Sequence, residues 1–368
     1  MTARRACALA AAASIAAAFS FVPHGGALTG GFAAAAERPA AFVQAITTTV
    51  SADGRQYPVR MVKARLRSVR VKVGLAEGRV GHTESLAGIA QRYSAVAAIN
   101  GSFFDAYTSN PIKNPDNTLI TNGIVVHKGN IGSLIGFTAD NQARIERLPL
   151  RIEGGLDGDF TYPNNWYAYW VNRYPEHANV ATIFSPYWGR STGLHDGVQI
   201  VISRGTVTRI GRDSQIIPDD GYVVYFRGSD AQLATRFRIG RRCAFRIVVE
   251  GGRGLGFWGL VREAVGAGPR LLTDGRVTVD SVGEGFRDPK IVRLSLARSM
   301  VGLTGDGWLI LAISSGTVRE MAGAMKALGA NQAMNLDSGG SSGLWLRGTY
   351  LRTPGRPISN ALLVQEKR

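Results

Sequence analysis

The sequence is poor in cysteine and in acidic residues, and it has no long hydrophobic run beyond its N-terminal region. Two cysteines among 368 residues exclude a disulfide framework. Cys243 lies in an apolar, strand-like stretch, so we expect it to be a buried small side chain. No later apolar run is long enough for a membrane span, so no transmembrane anchor is expected in the mature chain. The 46 glycines follow no collagen-like period, which excludes a fibrous protein.

Acidic residues are outnumbered by basic ones. The chain has 27 Asp and Glu residues against 43 Lys and Arg residues, a formal net charge of +16 at pH 7. Because guanidinium groups suit phosphate and carboxylate, this charge favours an anionic partner such as a wall polymer or a phosphorylated glycan. The alternative is a solvated basic surface with no specific partner. No groove-reading motif accompanies the charge, so no nucleic-acid partner is expected.

At the N-terminus, residues 1–36 have the composition of a secretion signal peptide. Arg4 and Arg5 form a basic start, residues 9–22 are apolar and rich in alanine, and residues 34–36 are small enough for signal-peptidase cleavage. The alternative is a single membrane anchor, but the apolar stretch is short and gives way to proline and glycine. We therefore expect a secreted, extracellular protein, with cell-wall association left open.

Beyond the signal, the sequence pattern is that of one domain built mainly from strands. Residues 37–56 are expected to form a lead-in and residues 57–366 a single domain, with the aromatic-rich residues 159–196 as an insertion or lid over the main sheet. About half of the aromatic rings in this insertion are expected to be buried. The expected fold class is α+β, with twisted, mainly antiparallel β-sheets and a few packed helices.

Local signals place two helices and several hairpins. Thr83 is predicted to cap a helix with its apolar face between residues 86 and 93, and Thr317 with Glu320 forms a capping box for a helix that stops at Gly329. Apolar runs that end in tight-turn pairs predict antiparallel hairpins. The predicted hairpin turns are Lys128-Gly129, Arg204-Gly205, Asp274-Gly275 and Arg347-Gly348.

Sharp catalytic and metal-binding signatures are missing. The sequence has no HExxH, paired CxxC, GxxxxGK[ST] or GxSxG motif, and its five histidines are scattered. Asp157 and Asp159 form a fragment of a calcium-type loop, although two carboxylates without the remaining ligands are more often a plain turn. No metal ligands are predicted and no cofactor is required, while a divalent cation such as calcium is left open.

Three polar, glycine-containing segments follow or precede apolar strands. They are NGSFFD from Asn100, GAGP from Gly266 and MNLDSGGSS from Met334. In the third, Asp337 closes a strand and a glycine-rich turn follows, which can aim several backbone N–H groups at an anion. Each segment taken alone is equally well explained as a tight turn.

Taken together and in order, these segments resemble the phosphodiester glycosidase family. The resemblance rests on NGSFFD, GAGPRLLTDG, RSMVGLTGDG from Arg298, TVREMAGAMKALGA from Thr317, NLDSGGSS from Asn335 and RPISNALLV from Arg356, and it covers roughly residues 57–364. The chain departs from the family pattern at Ser102 and Ser338, where glycines are expected, and at Ser299-Met300. Ser338 adds a side chain beside the expected site.

The resemblance implies a hydrolase that cleaves a sugar-1-phosphate diester at the anomeric carbon, in a phosphorylated glycan or a wall or extracellular polysaccharide. The alternative is a non-catalytic secreted module that binds an anionic polysaccharide or wall polymer through its arginines and aromatic residues. An acidic residue in a glycine-rich strand-end turn is unnecessary for bulk charge attraction, so the enzyme is favoured.

Roles for individual residues follow from the resemblance and from the chemistry of glycosyl phosphodiesters. Asp337 is expected to stabilise the oxocarbenium-like centre or activate water, and Asp105 is a reserve second carboxylate. Arg298 is expected to bind the phosphate, and Asn100 to hydrogen-bond sugar hydroxyls. The expected catalytic residues are Asp337, Arg298, Asn100 and Asp105. The expected substrate-binding residues are Gly101, Asn122, Gly268, Gly339, Gly340, Ser341 and Arg356.

Overall fold

The computed structural model describes residues 42–252 and 254–367, all within one compact unit. The predicted signal peptide lies outside these residues. Three α-helices occur in the described part of the chain: α1 (Leu86–Arg92), α2 (Pro289–Val292) and α3 (Val318–Ala327). None of the helices in these two described ranges has the length and apolar character that a membrane-spanning helix needs.

Strands make up most of the regular structure. In chain order, the strands of the described residues are β1 (Val43–Ala52), β2 (Arg55–Arg65), β3 (Val69–Leu75), β4 (Ala97–Asn100), β5 (Asn117–Thr121), β6 (Ile124–Asn130), β7 (Ser133–Thr138), β8 (Ala143–Glu146), β9 (Leu150–Leu156), β10 (Trp166–Ala168), β11 (Trp170–Val171), β12 (Val180–Phe184), β13 (Val198–Ser203), β14 (Thr206–Gly211), β15 (Gly221–Arg227), β16 (Cys243–Val249), β17 (Val261–Ala267), β18 (Arg270–Thr273), β19 (Arg276–Val277), β20 (Leu296–Thr304), β21 (Trp308–Gly316), β22 (Ala330–Asn335), β23 (Leu344–Leu346), β24 (Thr349–Arg352) and β25 (Asn360–Glu366).

These strands form five sheets in which antiparallel pairing dominates. A seven-stranded sheet has the order β1-β2-β21-β20-β22-β18-β19, and three five-stranded sheets have the orders β6-β5-β17-β7-β8, β24-β23-β4-β25-β3 and β11-β12-β15-β13-β14. A three-stranded sheet has the order β10-β9-β16. Within the described ranges, β11 and β12 are the one pair that runs parallel. Mainly antiparallel sheets with few helices were predicted, and this is confirmed.

The main core lies between sheets, and two helices cover outer sheet faces. Val73, Ile99 and Leu119 come from three different strands and share one apolar cluster with residues of the seven-stranded sheet. Helix α3 buries Met321 and Met325 against the other face of that sheet, and α1 packs against β4 and β25. The arrangement follows from the apolar stripe of each helix, which must be covered by a sheet face.

The capping box and three hairpins are confirmed, whereas the cap of α1 and the turn of one hairpin differ from the prediction. The capping box of Thr317 and Glu320 is present at the start of α3, and hairpins form at three of the four predicted turns. Helix α1 is capped by Ser85 instead of Thr83, because the Ser85 hydroxyl accepts the N–H of Gly88 at 3.0 Å. The remaining hairpin turns at Asn122-Gly123, where both residues have positive φ, and β6 continues through Lys128-Gly129.

The N-terminal lead-in also differs from expectation. Residues 43–52 form β1, which pairs with β2 along its whole length, and β2 in turn pairs with β21. Its alternating Thr, Val and Ile residues have the two-residue period of an edge strand. The seven-stranded sheet therefore starts before the predicted domain boundary at residue 57.

The aromatic-rich segment is part of a second core and not a lid over the main sheet. It contributes β10, β11 and β12 to two small sheets, whose remaining strands come from residues outside 159–196. Of its ten aromatic rings, the buried ones are Trp166, Phe184 and Trp188, fewer than the expected half. Cys243 is buried in the same core, as predicted. The sequence pattern missed that strands β13 to β16 complete this core.

Candidate active site

A pocket of about 450 Å³ opens beside the ends of β4 and β22. Most of its lining comes from three chain segments that are far apart in sequence: the loop after β4, the loop around α2, and the glycine-rich turn after β22. Ile131, Arg298 and Arg356 join from other parts of the chain. The side chains important for its chemistry are Tyr107, Asp116, Arg287, Lys290, Arg298, Asp337 and Arg356. Sheet edges thus converge on one concave, mixed polar and apolar site, the usual form of a small-molecule site.

Backbone and amide hydrogen bonds join the first and third segments. The Asp337 N–H donates to the Gly101 carbonyl oxygen at 2.9 Å, and Asn100 Nδ2 donates to the Asp337 carbonyl oxygen at 2.6 Å. The Asn100 Oδ1 atom accepts from Ser299 Oγ at 2.7 Å and from the Gly343 N–H at 3.0 Å. Both ends of the Asn100 amide bond within the protein, and the residue is buried and does not line the pocket, so it supports Asp337 from behind.

Asp337 carries the most perturbed carboxyl group in the pocket. Burial raises its pKa to about 7, although the Ser341 hydroxyl, the Ser338 N–H and the charge of Arg356 favour the ionised form. The Ser338 N–H donates to Asp337 Oδ1 at 2.7 Å. Half of the Asp337 side chains are thus protonated near neutral pH, which is the condition under which a carboxyl group exchanges protons most readily.

Asp116 is the second carboxylate of the pocket, and sequence reasoning missed it. Burial raises the pKa of Asp116, and its negative charge in turn raises the pKa of Asp337. The Asp116 N–H donates to the Phe103 carbonyl oxygen at 3.0 Å, which brings the end of the long loop back beside its start. No local motif marks this residue, since only the loop's path places it in the pocket.

Asp105, the predicted second carboxylate, is turned to its own loop. Its Oδ1 atom accepts the N–H of Thr108 at 3.2 Å, and the residue does not line the pocket. The structure therefore replaces Asp105 with Asp116 in the carboxylate pair. Both residues lie in the same loop, so the sequence identified the segment but not the residue.

Arg298 is completely buried beneath the pocket wall. Its guanidinium donates to the carbonyl oxygens of Gly316 at 3.1 Å, Lys290 at 2.8 Å and Leu294 at 2.6 Å, and Nη1 has no partner among the described residues. Burial lowers the pKa of Arg298 to about 10. Arg298 therefore braces the segment that carries Lys290 and adds positive potential from below, whereas the sequence predicted direct contact with a phosphate.

Two cations of the pocket, Arg356 and Lys290, flank Tyr107. Arg356 Nη2 donates to the Tyr107 hydroxyl at 2.6 Å, and the guanidinium carbon lies 4.6 Å from the ring centroid. Lys290 Nζ lies 5.0 Å from the same centroid. The hydrogen bond from Arg356 lowers the pKa of Tyr107. Tyr107, which is 76% exposed, was not identified from the sequence.

The pocket cations are uncompensated. In the described part of the chain, none of the four basic residues of the pocket forms an ion pair with a carboxylate; they are Arg287, Lys290, Arg298 and Arg356. A partly buried charge without a counterion is costly. The pocket is therefore suited to a ligand that brings negative charge.

The glycine-rich turn packs directly against Arg356 in the pocket wall. Gly339 has φ +65°, and a Cβ on Gly340 would lie 2.6 Å from Arg356 Nη2. The Ser338 hydroxyl lies 3.1 Å from Asn335 Oδ1 and 2.9 Å from the Leu336 carbonyl oxygen, so it is bonded back to the strand end. Ser338 has extended backbone geometry, so its position does not require glycine.

The remaining predicted binding residues lie outside the pocket lining. Asn122 sits in the β5–β6 turn, where its Oδ1 accepts from Lys72 Nζ at 2.5 Å. A Cβ on Gly101 would lie 2.2 Å from Asn360 Oδ1, so close packing requires this glycine. Gly268 has φ +132° and bonds to Asn335, which ties β17 to β22. Gly101 and Gly268 shape the site from behind, and Asn122 belongs to a turn elsewhere.

The described residues contain no cluster of three or more His, Cys, Asp or Glu side chains that could hold a metal ion. Asp157 and Asp159, the fragment of a calcium-type loop, have other partners. Asp157 Oδ2 pairs with Arg241 Nε at 2.7 Å, and Asp159 Oδ1 accepts from the Thr161 N–H at 2.8 Å. These contacts are those of a plain turn.

Comparison with known families agrees with the motif resemblance. Residues 196–365 match the family model described as phosphodiester glycosidase. The predicted recognition is therefore confirmed, over a shorter range than the motifs indicated. The matched range includes Arg298, Asp337 and Arg356 but starts after the loop that carries Asp116. The comparison with curated proteins returned no match.

Two solved structures share the fold, and a third aligns more weakly. A hypothetical protein from Synechocystis is 25% identical with a TM-score of 0.77 over 88% of this chain, and this chain spans 62% of its length. A candidate exported protein from Burkholderia pseudomallei is 18% identical with a TM-score of 0.67, covering 84% of this chain and 74% of that one. The zebrafish N-acetylglucosamine-1-phosphodiester alpha-N-acetylglucosaminidase catalytic domain, auto-inhibited by its pro-peptide, is 16% identical with a TM-score of 0.47, covering 90% and 86%.

Proposed function

With the phosphodiester glycosidase match over residues 196–365 as the premise, we propose that the pocket hydrolyses a glycosyl-1-phosphodiester at the anomeric carbon. The observation that carries the proposal is that Asp337, whose pKa is raised to about 7, shares the pocket with Lys290 and Arg356, which form no ion pair with a carboxylate in the described part of the chain. Cleavage of a glycosyl phosphodiester requires this combination, since one group must act at the anomeric carbon and another must bind the phosphate.

The phosphate is bound by the cationic wall. Arg356 and Lys290 contact the non-bridging oxygens, and Arg298 adds positive potential from beneath. Arg356 leaves the Tyr107 hydroxyl to do so, and the Tyr107 ring is then free to stack on the substrate. The phosphomonoester that departs is a weak base with a pKa of about 6, so cations can stabilise it without full protonation.

The carboxylates act at the sugar. Ionised Asp337 stabilises the positive charge that develops at the anomeric carbon or takes a proton from the attacking water, and Asp116 is the second carboxylate on the same pocket. Water adds to the anomeric carbon, the bond between that carbon and the phosphate oxygen breaks, and the products are a free sugar and a phosphomonoester. Asn100 holds the Asp337 backbone in place throughout.

Export belongs to the same proposal. The N-terminal sequence pattern of residues 1–36 supports secretion, and a basic extracellular enzyme would meet anionic glycans and wall polymers as substrates. The sugar and the group beyond the phosphate are expected to be those of a phosphorylated glycan or an extracellular polysaccharide.

Turnover of a panel of glycosyl-1-phosphodiesters tests the proposal. The wild type is expected to release free sugar, and Asp337→Asn to lose at least about 100-fold in kcat because it removes the acid–base group. Asp116→Asn should lose more activity than Asp105→Asn, since Asp105 does not line the pocket. Asp213→Asn, which changes a carboxylate with 94% of its side chain exposed, is the matched control.

Two results would overturn the proposal. One is wild-type turnover that survives Asp337→Asn in a folded protein. The other is the absence of turnover across the panel together with salt-sensitive polymer binding that both proteins share, which would favour a binding module. An EDTA arm in the same assay shows whether a divalent cation is needed.

A further inference from the structure

A second groove of about 730 Å³ shares no lining residue with the pocket. It lies where β6, β9 and the β10–β11 segment from three different sheets come together. Junctions between packed elements are common places for ligand sites. The proposed reaction uses none of its residues.

Lys128 is the buried polar group of this groove. Its side chain lines the groove although the residue is 6% exposed. Within residues 42–252 and 254–367, its ammonium donates to the Tyr169 carbonyl oxygen at 3.0 Å and forms no ion pair with a carboxylate. An ammonium has three donors, so two are left for a ligand. Burial lowers the pKa of Lys128, and the charge of Glu250 in the same groove opposes this shift.

Aromatic rings lie beside this ammonium. Lys128 Nζ lies 5.6 Å from the centroid of the Trp170 ring, and Arg173 lies 4.9 Å from the same ring. Tyr167 and Tyr169 are 38% and 44% exposed, with ring centroids 5.3 Å apart. Large exposed rings are costly to leave in water, and they are the groups on which the apolar faces of pyranose rings stack.

Polar groups complete the lining. Asn130 Nδ2 bonds to Glu250 Oε1 at 3.2 Å, and exposed His177 and Arg151 lie along the same groove. Stacking faces, amide and carboxylate groups, and a buried ammonium are the set that recognises a hydroxylated ring bearing an acidic group. Arg151 is paired with Glu153, so the cation that the groove offers to an acidic ligand is Lys128, which forms no ion pair among the described residues.

We propose that this groove is a non-catalytic binding site for the chain of an acidic polysaccharide, which holds the polymer whose phosphodiester is cleaved in the pocket. The choice of a glycan rests on the proposed function. The ring faces of Tyr167 and Tyr169 stack on sugar rings, and Lys128 donates hydrogen bonds to a sugar carboxylate or hydroxyl group.

Affinity electrophoresis tests the proposal, with polygalacturonate as the acidic polysaccharide, dextran as a neutral one and polyglutamate as a polyanion without sugar rings. Polygalacturonate should retard the wild-type protein, and Tyr169→Ala and Lys128→Gln should each weaken its binding at least about tenfold. Tyr162→Ala removes a tyrosine that is 79% exposed outside the groove and should bind as the wild type does. Turnover of a small diester should be unchanged in all three variants.

The result that overturns the proposal is the absence of retardation by polygalacturonate, or retardation that Tyr169→Ala leaves unchanged. Retardation by polyglutamate equal to that by polygalacturonate would also overturn it, because charge alone would then explain binding. Tyr169 is exposed, so its variant remains informative if Lys128→Gln fails to fold. If the wild-type protein does not hydrolyse a small diester, that result would instead count against the proposed reaction.

Discussion

The charges of Asp337 and of the cations around it are not fully neutralised by the protein itself. Burial raises the pKa of Asp337 to about 7, and Arg298 is buried without a carboxylate partner among the described residues. Both arrangements cost folding free energy. Such perturbed groups gathered in one pocket are typical of functional sites.

The stability of the protein should report the state of Asp337 directly. An ordinary Asp ionises near 3.8, whereas folded Asp337 ionises near 7. Between these values the folded state binds a proton that the unfolded state lacks, so rising pH destabilises the fold until the folded pKa is passed. Relative to Asp337→Asn, the wild type should lose at most about 1.4 kcal/mol per pH unit between pH 4 and pH 7.

Urea unfolding of both proteins at several pH values measures this difference. Taking the difference between the two proteins removes the contributions of all other titrating groups, which they share. A constant difference across the range would show that Asp337 has an ordinary pKa and would remove the physical argument for its role. The difference should level off above pH 7.

At the scale of secondary-structure elements, the geometry of the site depends on the contact between a turn and a loop. The turn after β22 comes within hydrogen-bond distance of the loop after β4, and the Asp337 N–H bond to the Gly101 carbonyl oxygen joins them. Gly340 lets Arg356 pass close to the backbone. The geometry of the cationic wall is therefore set by a residue without a side chain.

Gly340→Ala should displace Arg356. A methyl group at this position would lie 2.6 Å from Arg356 Nη2, so the guanidinium must move. Losing one charge-assisted hydrogen bond to phosphate costs about 1.5 kcal/mol or more, so KM for a small diester should rise at least about tenfold. Steady-state kinetics beside Gly305→Ala, where the added methyl group meets open space, give the comparison.

An unchanged KM in Gly340→Ala would indicate that Arg356 does not contact the substrate. A similar rise in Gly305→Ala would point to a general effect of the added methyl group. The Tyr107→Phe change offers a further check on the same wall, because it frees Arg356 from its hydroxyl partner without altering the turn.

The sequence predicted many of the helices and hairpins, but it predicted less of how they pack together. Capping at Thr317 and the hairpins at Arg204-Gly205 and Asp274-Gly275 depend on neighbours in sequence, so local patterns are sufficient. The sequence Asn122-Gly123 is also a local turn signal. Both of its residues have positive φ, and the hairpin turns there instead of at the predicted Lys128-Gly129. The second core was missed because its strands pair across long sequence separations, as β9 does with β16.

The site was predictable only where a motif lies on a single turn. Asp337, Gly339, Gly340 and Arg356 all line the pocket as expected. Asp116 and Lys290 could not be found, since loop paths and sheet packing bring them there. Asn100 was correctly placed in the region, but its hydrogen bonds show that it supports the turn from below.

At the scale of the whole molecule, the pocket and the groove are distinct sites that one residue links. Arg173 Nη1 donates to the Pro115 carbonyl oxygen at 3.1 Å, beside Asp116, and its guanidinium stacks on the Trp170 ring of the groove. The two sheets that contain β10, β11 and β12 therefore have two roles. They build the groove, and they brace the loop that brings Asp116 to the pocket.

Hydrolysis in water enriched in ¹⁸O tests the central claim most directly, because it identifies the bond that breaks. Attack at the anomeric carbon leaves the bridging oxygen on phosphorus, so mass spectrometry of the phosphomonoester should find no ¹⁸O. The label should instead appear in the sugar when it is trapped by rapid reduction. A phosphomonoester that carries ¹⁸O would show attack at phosphorus, and the assignment as a glycosidase would be wrong.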